Sequence, residues 1–517
     1  MSDSKSLVWD KETIKFATFL FFMYFVQVMN TLPGIPINFM MRSVMKLSQV
    51  DAQYLVAATA LGWVIKPLWG YISQNFPIFG YRQKTYVVGM SLTASLSWWL
   101  LAYFFHTHDI VYIAQHGYWT IFFYFNLGAA AYAFVDVVGD GKMAEEGKKK
   151  NIIDALVNFQ WIGAGIAGVI VNLLSGYLSD VAEKNFSVYS FIFFIAGFPP
   201  LINVALGLLS VKEERATELF PWKRFFGFLF CVGVSVSLLI DQLLLLFFNR
   251  HGLISWYFTL PMVYKLFVAL SAFMLQACII YWYSQKPKYY WVISLFLFLW
   301  YFNPSVSQAS FRYVTEVLKF SGTFLGILGG IGDLFGAIGI VCYFYFLRRY
   351  PGVSRKPLLY FSIALGACGL FVSYLYYLPP GYKLFSFIPI NFAVVAILSG
   401  IFFNLFGAPS VQIPLAVAAD ISKQGREAIT YAWFMSVINF SRITMSDWLG
   451  GWFYKSVYDY KIDLASWHFL TWWGGDGSFL ADPTRVLILR LFVYISAFFT
   501  LLAVPLIWFV TLPERKK

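Results

Sequence analysis

Charged residues are scarce in this chain: they make up only 12% of its 517 residues, whereas 59% are hydrophobic. A water-soluble domain cannot bury that much apolar surface, so lipid is expected to solvate most of the chain. The net charge of +12 does not indicate a nucleic-acid-binding protein, because the cations are scattered among short loops between apolar runs. The composition predicts an integral membrane protein that crosses the bilayer many times.

Cysteine and histidine are also rare, with 4 and 5 residues in the chain. The cysteines lie in apolar segments without CxxC spacing, which argues against a disulfide framework or a metal cluster. His106 and His108 could form a metal pair, but we favour solvated loop residues. No loop carries a nucleophile set or a metal-binding spacing, so we predict no catalytic residue, no metal, no cofactor and no enzymatic activity.

The apolar runs predict fourteen helical spans, since about 20 helical residues cross ~30 Å of hydrocarbon. The predicted spans are 14–40, 51–74, 85–106, 117–141, 151–179, 187–211, 224–249, 253–284, 289–318, 323–349, 357–378, 387–420, 427–455 and 484–511. With the N-terminus inside, most loop cations fall on the cytoplasmic side. Both termini are then cytoplasmic, in a plasma membrane or a bacterial inner membrane.

Basic turns end spans two and ten, and again spans four and twelve, which indicates two related halves. We place a six-helix half at 1–211, an intercalated two-helix segment at 212–288 and a second six-helix half at 289–517. This all-α plan is typical of the major facilitator superfamily, whose members bind a solute between the halves near the midplane. We expect a monomer.

A lysine within the apolar run of span two is the most informative charge. Lys66 lies at about the depth of Asp136 in span four, and Asp140 follows on the same helix face, nearer the surface. A lone charge at membrane depth is costly, so we predict that Lys66 and Asp136 pair. The cluster is either a proton-coupling or substrate-binding site, or a structural or gating salt bridge.

Other charges in the second half are weaker candidates. Arg312 and Glu316 have i,i+4 spacing at the outer end of span nine, and we favour a solvated surface pair over a substrate contact. Arg442 could bind an anionic cargo through its guanidinium group, or it could belong to a charge-neutralising network with Asp447 or Asp333.

Helix-breaking residues occur within several spans. Broken backbone at membrane depth is tolerated where it lines a cavity or is buried in protein. The candidates for cavity-lining breaks are Pro36, Asn303, Pro304 and Pro409. The GAGIAG run at 163–168 matches a dinucleotide-binding pattern but follows no strand, so we interpret its small residues as helix-packing positions.

Two runs carry a resemblance to a known family. LGWVIKPLWGYISQNFPIFGYRQKTY at 61–86 and AFVDVVGD at 133–140 resemble the second-helix and fourth-helix patterns of the folate–biopterin transporter family of the major facilitator superfamily. Weaker similarity covers 303–326 and 427–440. Gln74 stands where that family usually has an acidic residue.

The resemblance implies a secondary active transporter that imports folate- or pterin-like solutes by alternating access. Protons are the expected coupling ion, because the buried acids Asp136, Asp140 and Asp333 can each exchange a proton as their exposure alternates. We favour Asp136 as the coupling residue, and Asp140 and Asp333 remain candidates for coupling or substrate binding. The alternative is a transporter of the same fold for another small solute, such as S-adenosylmethionine, a nucleoside or an amino acid.

Overall fold

The computed structural model describes residues 10–59, 61–209, 288–350, 352–384 and 387–509, with isolated positions between 213 and 226. Within these residues the regular structure is helical, apart from a short antiparallel hairpin of β1 (Lys383–Leu384) and β2 (Ile388–Pro389) and an isolated bridge between Ile78 and Tyr81. The predicted spans 224–249 and 253–284 lie outside the described residues.

We use “first half” for the part of the chain before residue 212 and “second half” for the part after residue 288. The described residues of the first half form ten helical pieces. They are α1 (Lys11–Met29), α2 (Gly34–Ser43), α3 (Gln49–Ala58), α4 (Leu61–Val64), α5 (Lys66–Asn75), α6 (Lys84–Thr107), α7 (Ile110–Lys150), α8 (Ile153–Lys184), α9 (Val188–Ala196) and α10 (Pro199–Leu209). Span two is thus divided into short helices, and α7 is longer than predicted.

The second half continues the same pattern. Its helices are α11 (Lys288–Tyr301), α12 (Ser307–Glu316), α13 (Gly322–Arg349), α14 (Arg355–Leu375), α15 (Phe392–Phe406), α16 (Ala408–Ile421), α17 (Glu427–Asn439), α18 (Ser446–Asp459), α19 (His468–Thr471) and α20 (Pro483–Phe509). A π-helical turn, Phe440–Met445, joins α17 to α18, and a 3₁₀ turn, Leu464–Ser466, precedes α19.

Nine helical segments of the described chain are long and apolar enough to cross a membrane. Every predicted span outside 224–284 corresponds to a helix or a run of helical pieces. The multi-pass architecture is therefore confirmed, whereas the total of fourteen spans stays a prediction.

Helices of the first half pack against helices of the second half. α8 packs along α13, while α5 packs against α17 and α3 against α18. Large apolar side chains remain exposed on the outer faces, for example Leu92 and Leu96 of α6 and Phe402 of α15. Such a surface fits lipid as the surrounding solvent.

Candidate functional site

The buried charges of the first half form one cluster. Lys66, the first residue of α5, makes an ion pair with Asp136 of α7, and its Nζ lies 4.0 Å from Oδ2 of Asp140. The three residues are only 1–2% exposed. The predicted Lys66–Asp136 pair is confirmed, but the expectation that Asp140 lies nearer the surface is wrong, because α7 continues to Lys150.

Neighbouring helices hold this cluster in place. The Tyr24 hydroxyl of α1 donates to Asp140 Oδ1 at 2.9 Å, and the Gln160 amide of α8 donates to the same oxygen at 3.1 Å. The Lys66 ammonium also lies 4.9 Å from the ring centre of Trp63, a cation–π geometry. Each acid keeps one carboxylate oxygen that has no hydrogen-bond partner in the described part of the chain.

A cavity of about 300 Å³ lies between the halves. Val28 of α1 and Trp161 of α8 line it from the first half, and Asp333, Phe403 and Gln412 line it from the second. These residues lie in the interior of their helical spans, so the cavity occupies the middle of the molecule. Its aromatic walls and few polar groups are the composition typical of small-molecule sites. We call it the central cavity.

The polar groups of the central cavity come from both halves. Asp333 Oδ2 accepts a hydrogen bond from the Asn172 amide at 2.7 Å. Gln412 is 3% exposed, and neither its amide nitrogen nor its amide oxygen has a partner among the described residues. The Trp161 indole nitrogen likewise lacks one within that part of the chain.

The central cavity and the ion cluster are physically connected. The centroid of the Trp161 ring lies 6.3 Å from that of the Tyr24 ring, and the Tyr24 hydroxyl donates to Asp140. The amide of Gln160, the residue before Trp161, donates to the same carboxylate. Trp161 therefore lies both on the wall of the central cavity and beside the residues that hydrogen-bond Asp140.

A second cavity of about 350 Å³ adjoins the first within the second half. Tyr301, Ser362 and Thr500 line it, and it shares Phe403 and Ser410 with the central cavity. Both cavities border the break between α15 and α16, where Gly407 separates the helices.

Arg442 lies apart from the cavities described above. It is exposed in the π-helical turn and forms no ion pair within the described residues. Asp447 instead accepts from Gln53 at 2.7 Å and from Ser305 at 2.6 Å, and Asp333 accepts from Asn172. Hydrogen-bond donors thus occupy both acids, and a charge-neutralising network of Arg442 with Asp447 or Asp333, which would act beyond ion-pair distance, stays a prediction.

The predicted i,i+4 pair of Arg312 and Glu316 does not form. Glu316 pairs with Arg485 of α20 at 2.9 Å, and Arg312 donates to the backbone carbonyl of Leu47 in the first half. The interpretation as a solvated pair is wrong because partners from distant segments compete for both side chains. Arg312 thereby joins the two halves at one end.

The predicted helix breakers differ in their positions. The chain leaves helical geometry at Asn303 and Pro304, between α11 and α12. Pro36 instead lies in the first turn of α2, after a break at 30–33, and Pro409 lies in the first turn of α16, after Gly407. A proline is tolerated in the first turn because its missing N–H has no helical partner there.

The halves also touch at both ends of the molecule. At one end, Arg42 of α2 pairs with Glu183 at 2.6 Å and donates to Thr315 of the second half at 2.9 Å. At the other end, Arg355 lies between Asp420, at 2.7 Å, and Asp154 of the first half, at 3.8 Å. The ion cluster is enclosed between these two sets of contacts.

Several of these residues could not be identified from sequence. Tyr24, Gln160, Asn172 and Gln412 are isolated polar residues in apolar runs, with no periodic pattern to distinguish them. Arg490 is another: it is 0% exposed and donates to backbone carbonyls of Tyr377, Leu470, Gly474 and Gly475.

The described chain is an all-α protein with several apolar spans, and solved transporter structures share its fold. The chain resembles a D-xylose–proton symporter with a TM-score of 0.59 and 16% identity, covering 99% of both chains. It also resembles a bacterial homologue of the human drug peptide transporters, with a TM-score of 0.56 and 12% identity over 97% of this chain and 99% of that one. The fold is that of major facilitator transporters, as predicted.

The chain belongs to the BT1 family, whose model matches residues 27–515. A folate-biopterin transporter of Synechocystis is 23% identical over 446 residues, which cover 83% of this chain and 74% of the relative. Folate transporter 1 of Plasmodium falciparum is 22% identical over 453 residues, 86% and 72% of the two chains. The predicted family resemblance is confirmed, and relatives named as transporters confirm a transporter rather than an enzyme.

Proposed function

We propose that this protein imports folate- or pterin-like solutes across a membrane and couples uptake to protons. The observation that carries the proposal is the central cavity, which has aromatic side chains from both halves, Trp161 and Phe403, and a few polar groups. Flat, polar-edged rings are the solutes that such a cavity suits. The two relatives named for folate transport support the same cargo.

Alternating access supplies the transport mechanism. Because the halves touch on both sides of the ion cluster, releasing one set of contacts opens the cavity to one side while the other set holds. We place the halves at 1–211 and 289–517, with both termini cytoplasmic. Support comes from basic residues at helix ends, such as Lys148–Lys150 of α7 and Arg348 and Arg349 of α13.

Proton coupling follows from the charge balance of the cluster. Two carboxylates surround one ammonium group, so the cluster carries an excess negative charge when Asp136 and Asp140 are both ionised. An unneutralised charge in an enclosed site costs several kcal/mol. A proton on either acid removes the excess, so the closed protein favours a protonated cluster and the open protein exchanges the proton with water.

The connection through Trp161 and Tyr24 ties this proton to the solute. Solute in the central cavity contacts Trp161, and Tyr24 transmits its position to Asp140. The closed protein with a protonated cluster is therefore most stable when solute occupies the central cavity. That preference is what coupling requires.

Uptake into proteoliposomes tests the proposal. The purified protein is reconstituted and supplied with labelled folate, pterin, S-adenosylmethionine, a nucleoside or an amino acid, under an imposed proton or sodium gradient. We expect accumulation of folate or pterin that depends on the proton gradient. Accumulation of another solute alone would overturn the proposed cargo, and accumulation driven only by sodium would overturn the proposed ion.

A further inference from the structure

Asp333 is a carboxylate on the wall of the central cavity. It lies in the interior of α13, lines the central cavity and accepts from the neutral Asn172 amide. No Lys, Arg or His within the described residues forms an ion pair with it. A half-buried carboxylate with one neutral donor has remaining acceptor capacity, and that capacity adjoins the cavity.

Two glycines, one on α8 and one on α13, leave room for the Asp333 carboxylate and its Asn172 partner. A Cβ atom at Gly168 of α8 would lie 2.5 Å from Cγ of Asp333, and one at Gly329 of α13 would lie 2.6 Å from Cγ of Asn172. Both glycines provide the space in which the two side chains meet. The second of these glycines lies one turn from Asp333 on the same helix.

Other residues that line the central cavity have polar groups without a partner among the described residues. Gln412 is buried beside the cavity, and both polar atoms of its amide lack partners among the described residues. Buried polar groups are almost always hydrogen-bonded, so an unpartnered amide beside a cavity points to a ligand. Trp161 adds a flat aromatic surface and an indole N–H.

We propose that Asp333 and Gln412 form the recognition site for a 2-amino-4-oxopyrimidine ring, with Asn172 positioning the carboxylate. This inference rests on the proposed function and names the part of the solute that the central cavity binds. Such a ring presents two adjacent N–H donors, the ring N3–H and the 2-amino group, which pair with both oxygens of one carboxylate. The Gln412 amide donates to the neighbouring 4-oxo group, and Trp161 stacks on the ring.

The same charge sets the orientation of a folate. Its anionic glutamate end is repelled by Asp333, so the ring points toward this site and the tail points away. A 2,4-dioxo ring lacks the 2-amino donor and presents an oxygen to the carboxylate, so it should bind weakly. The site should therefore bind 2-amino-4-oxo rings more tightly than 2,4-dioxo rings.

Equilibrium binding to the purified, full-length protein tests this site. The probes are pterin, which carries the 2-amino-4-oxo edge, and lumazine, its 2,4-dioxo analogue. We expect wild type to bind pterin about tenfold or more tightly than lumazine. Asp333→Asn should lose most of that ratio, because a neutral amide pairs with either ring.

Two further variants keep the test decisive. Asn172→Ala, which leaves the carboxylate in place, should weaken pterin binding less than Asp333→Asn does. Asp447→Asn is the matched control, since that acid accepts from Gln53 and Ser305 and does not line the central cavity; it should leave the ratio unchanged.

The outcomes separate the inference from the function on which it rests. If Asp333→Asn and wild type discriminate equally while both bind pterin, the recognition site is wrong and the proposed cargo stands. If wild type binds neither pterin nor folate, the proposed function fails and the site fails with it. A sulfonium or ammonium probe that competes equally would assign the carboxylate to simple cation binding instead.

Discussion

Lys66 is a fully enclosed ammonium group, 1% exposed, that faces two acids of one helix. Its ion pair with Asp136 cannot be judged as a surface salt bridge, because neither partner can be solvated if the other is lost. The effect of removing one charge is therefore expected to be large, even where the intact cluster contributes little net stability.

Lys66→Met should lower the free energy of unfolding by about 3–5 kcal/mol, because two uncompensated carboxylates remain buried. Thermal or denaturant unfolding of the purified protein in detergent measures it. Lys142→Met is the control: Lys142 lies on α7 in partly exposed pairs with Glu145 and Glu146, worth about 0–1 kcal/mol.

The size of the Lys66→Met effect should also depend on pH. Protonated carboxyl groups carry no charge, so the difference from wild type should shrink as the solution is made acidic. An effect equal to that of the control at neutral pH would contradict the charge-balance account of the cluster.

At the residue scale, sequence predicts some pairs of charges and misses others. The similar depth of Lys66 and Asp136 in two spans of the same direction is sufficient to predict their pair. Spacing within one helix misled at Arg312 and Glu316, because Arg485 and Leu47 come from segments far away in sequence. The Asn172 and Gln412 amides carry no sequence signal, since their role depends only on the cavity that the fold creates.

The break between α11 and α12 shows how an irregular element is stabilised. Leaving the helix at Asn303 frees backbone donors, and α18 satisfies two of them. The Ser446 hydroxyl accepts from the Asn303 N–H at 3.0 Å, and the Ser446 carbonyl accepts from the Ser305 N–H at 3.2 Å. A break within a membrane requires such partners because lipid offers none.

Ser446→Ala should lower the free energy of unfolding by about 1–3 kcal/mol, since the Asn303 N–H loses the acceptor that the buried Ser446 hydroxyl gives it in a part-buried bond. Ser456→Ala is the matched control on the same helix, where the hydroxyl donates to the Trp452 carbonyl in an exposed bond; we expect a change of about 0.5 kcal/mol or less. Equal stability of the two variants would show that the break does not depend on this bond.

At the element scale, apolar runs predict where helices lie but not where they end. α7 continues to Lys150, beyond the predicted end of its span at 141, because the polar residues that follow are good helix formers and pair at i,i+3 and i,i+4. A membrane boundary is a change of solvent, which need not end a helix. Conversely, span two is one apolar run that the structure divides at its lysine.

Closure of the two halves depends on small residues at the end that carries Lys148–Lys150. A Cβ atom at Gly70 would lie 2.7 Å from the Ala428 carbonyl oxygen, and one at Gly141 would lie 2.5 Å from the Ala428 Cβ atom. Both glycines belong to the first half and Ala428 belongs to the second. A larger side chain at either position must push the halves apart.

Gly141→Val should therefore favour a form that is open at this end. Spin labels at positions 149 and 424 report the separation of the halves, and their distance distribution should shift to longer values. Gly89→Val is the control, because a Cβ atom at Gly89 has no neighbour within 4 Å. An unchanged distribution in Gly141→Val would rule out this contact as part of closure.

At the scale of the whole molecule, we propose that the ion cluster couples proton movement to transport, because one proton neutralises its one excess negative charge. Asp136→Asn and Asp140→Asn each leave one ammonium group facing one carboxylate, so the cluster is permanently neutral and has no need of a proton. Either variant should still exchange cargo across the membrane but lose accumulation driven by a pH gradient.

The most direct test is folate or pterin transport by these two variants in proteoliposomes, with exchange and pH-driven accumulation measured on the same preparation. The account predicts exchange near the wild-type rate and no accumulation above equilibration. A variant that still accumulates cargo against its gradient under a pH gradient alone would contradict the account. Loss of exchange as well would show that the cluster is structural or binds cargo.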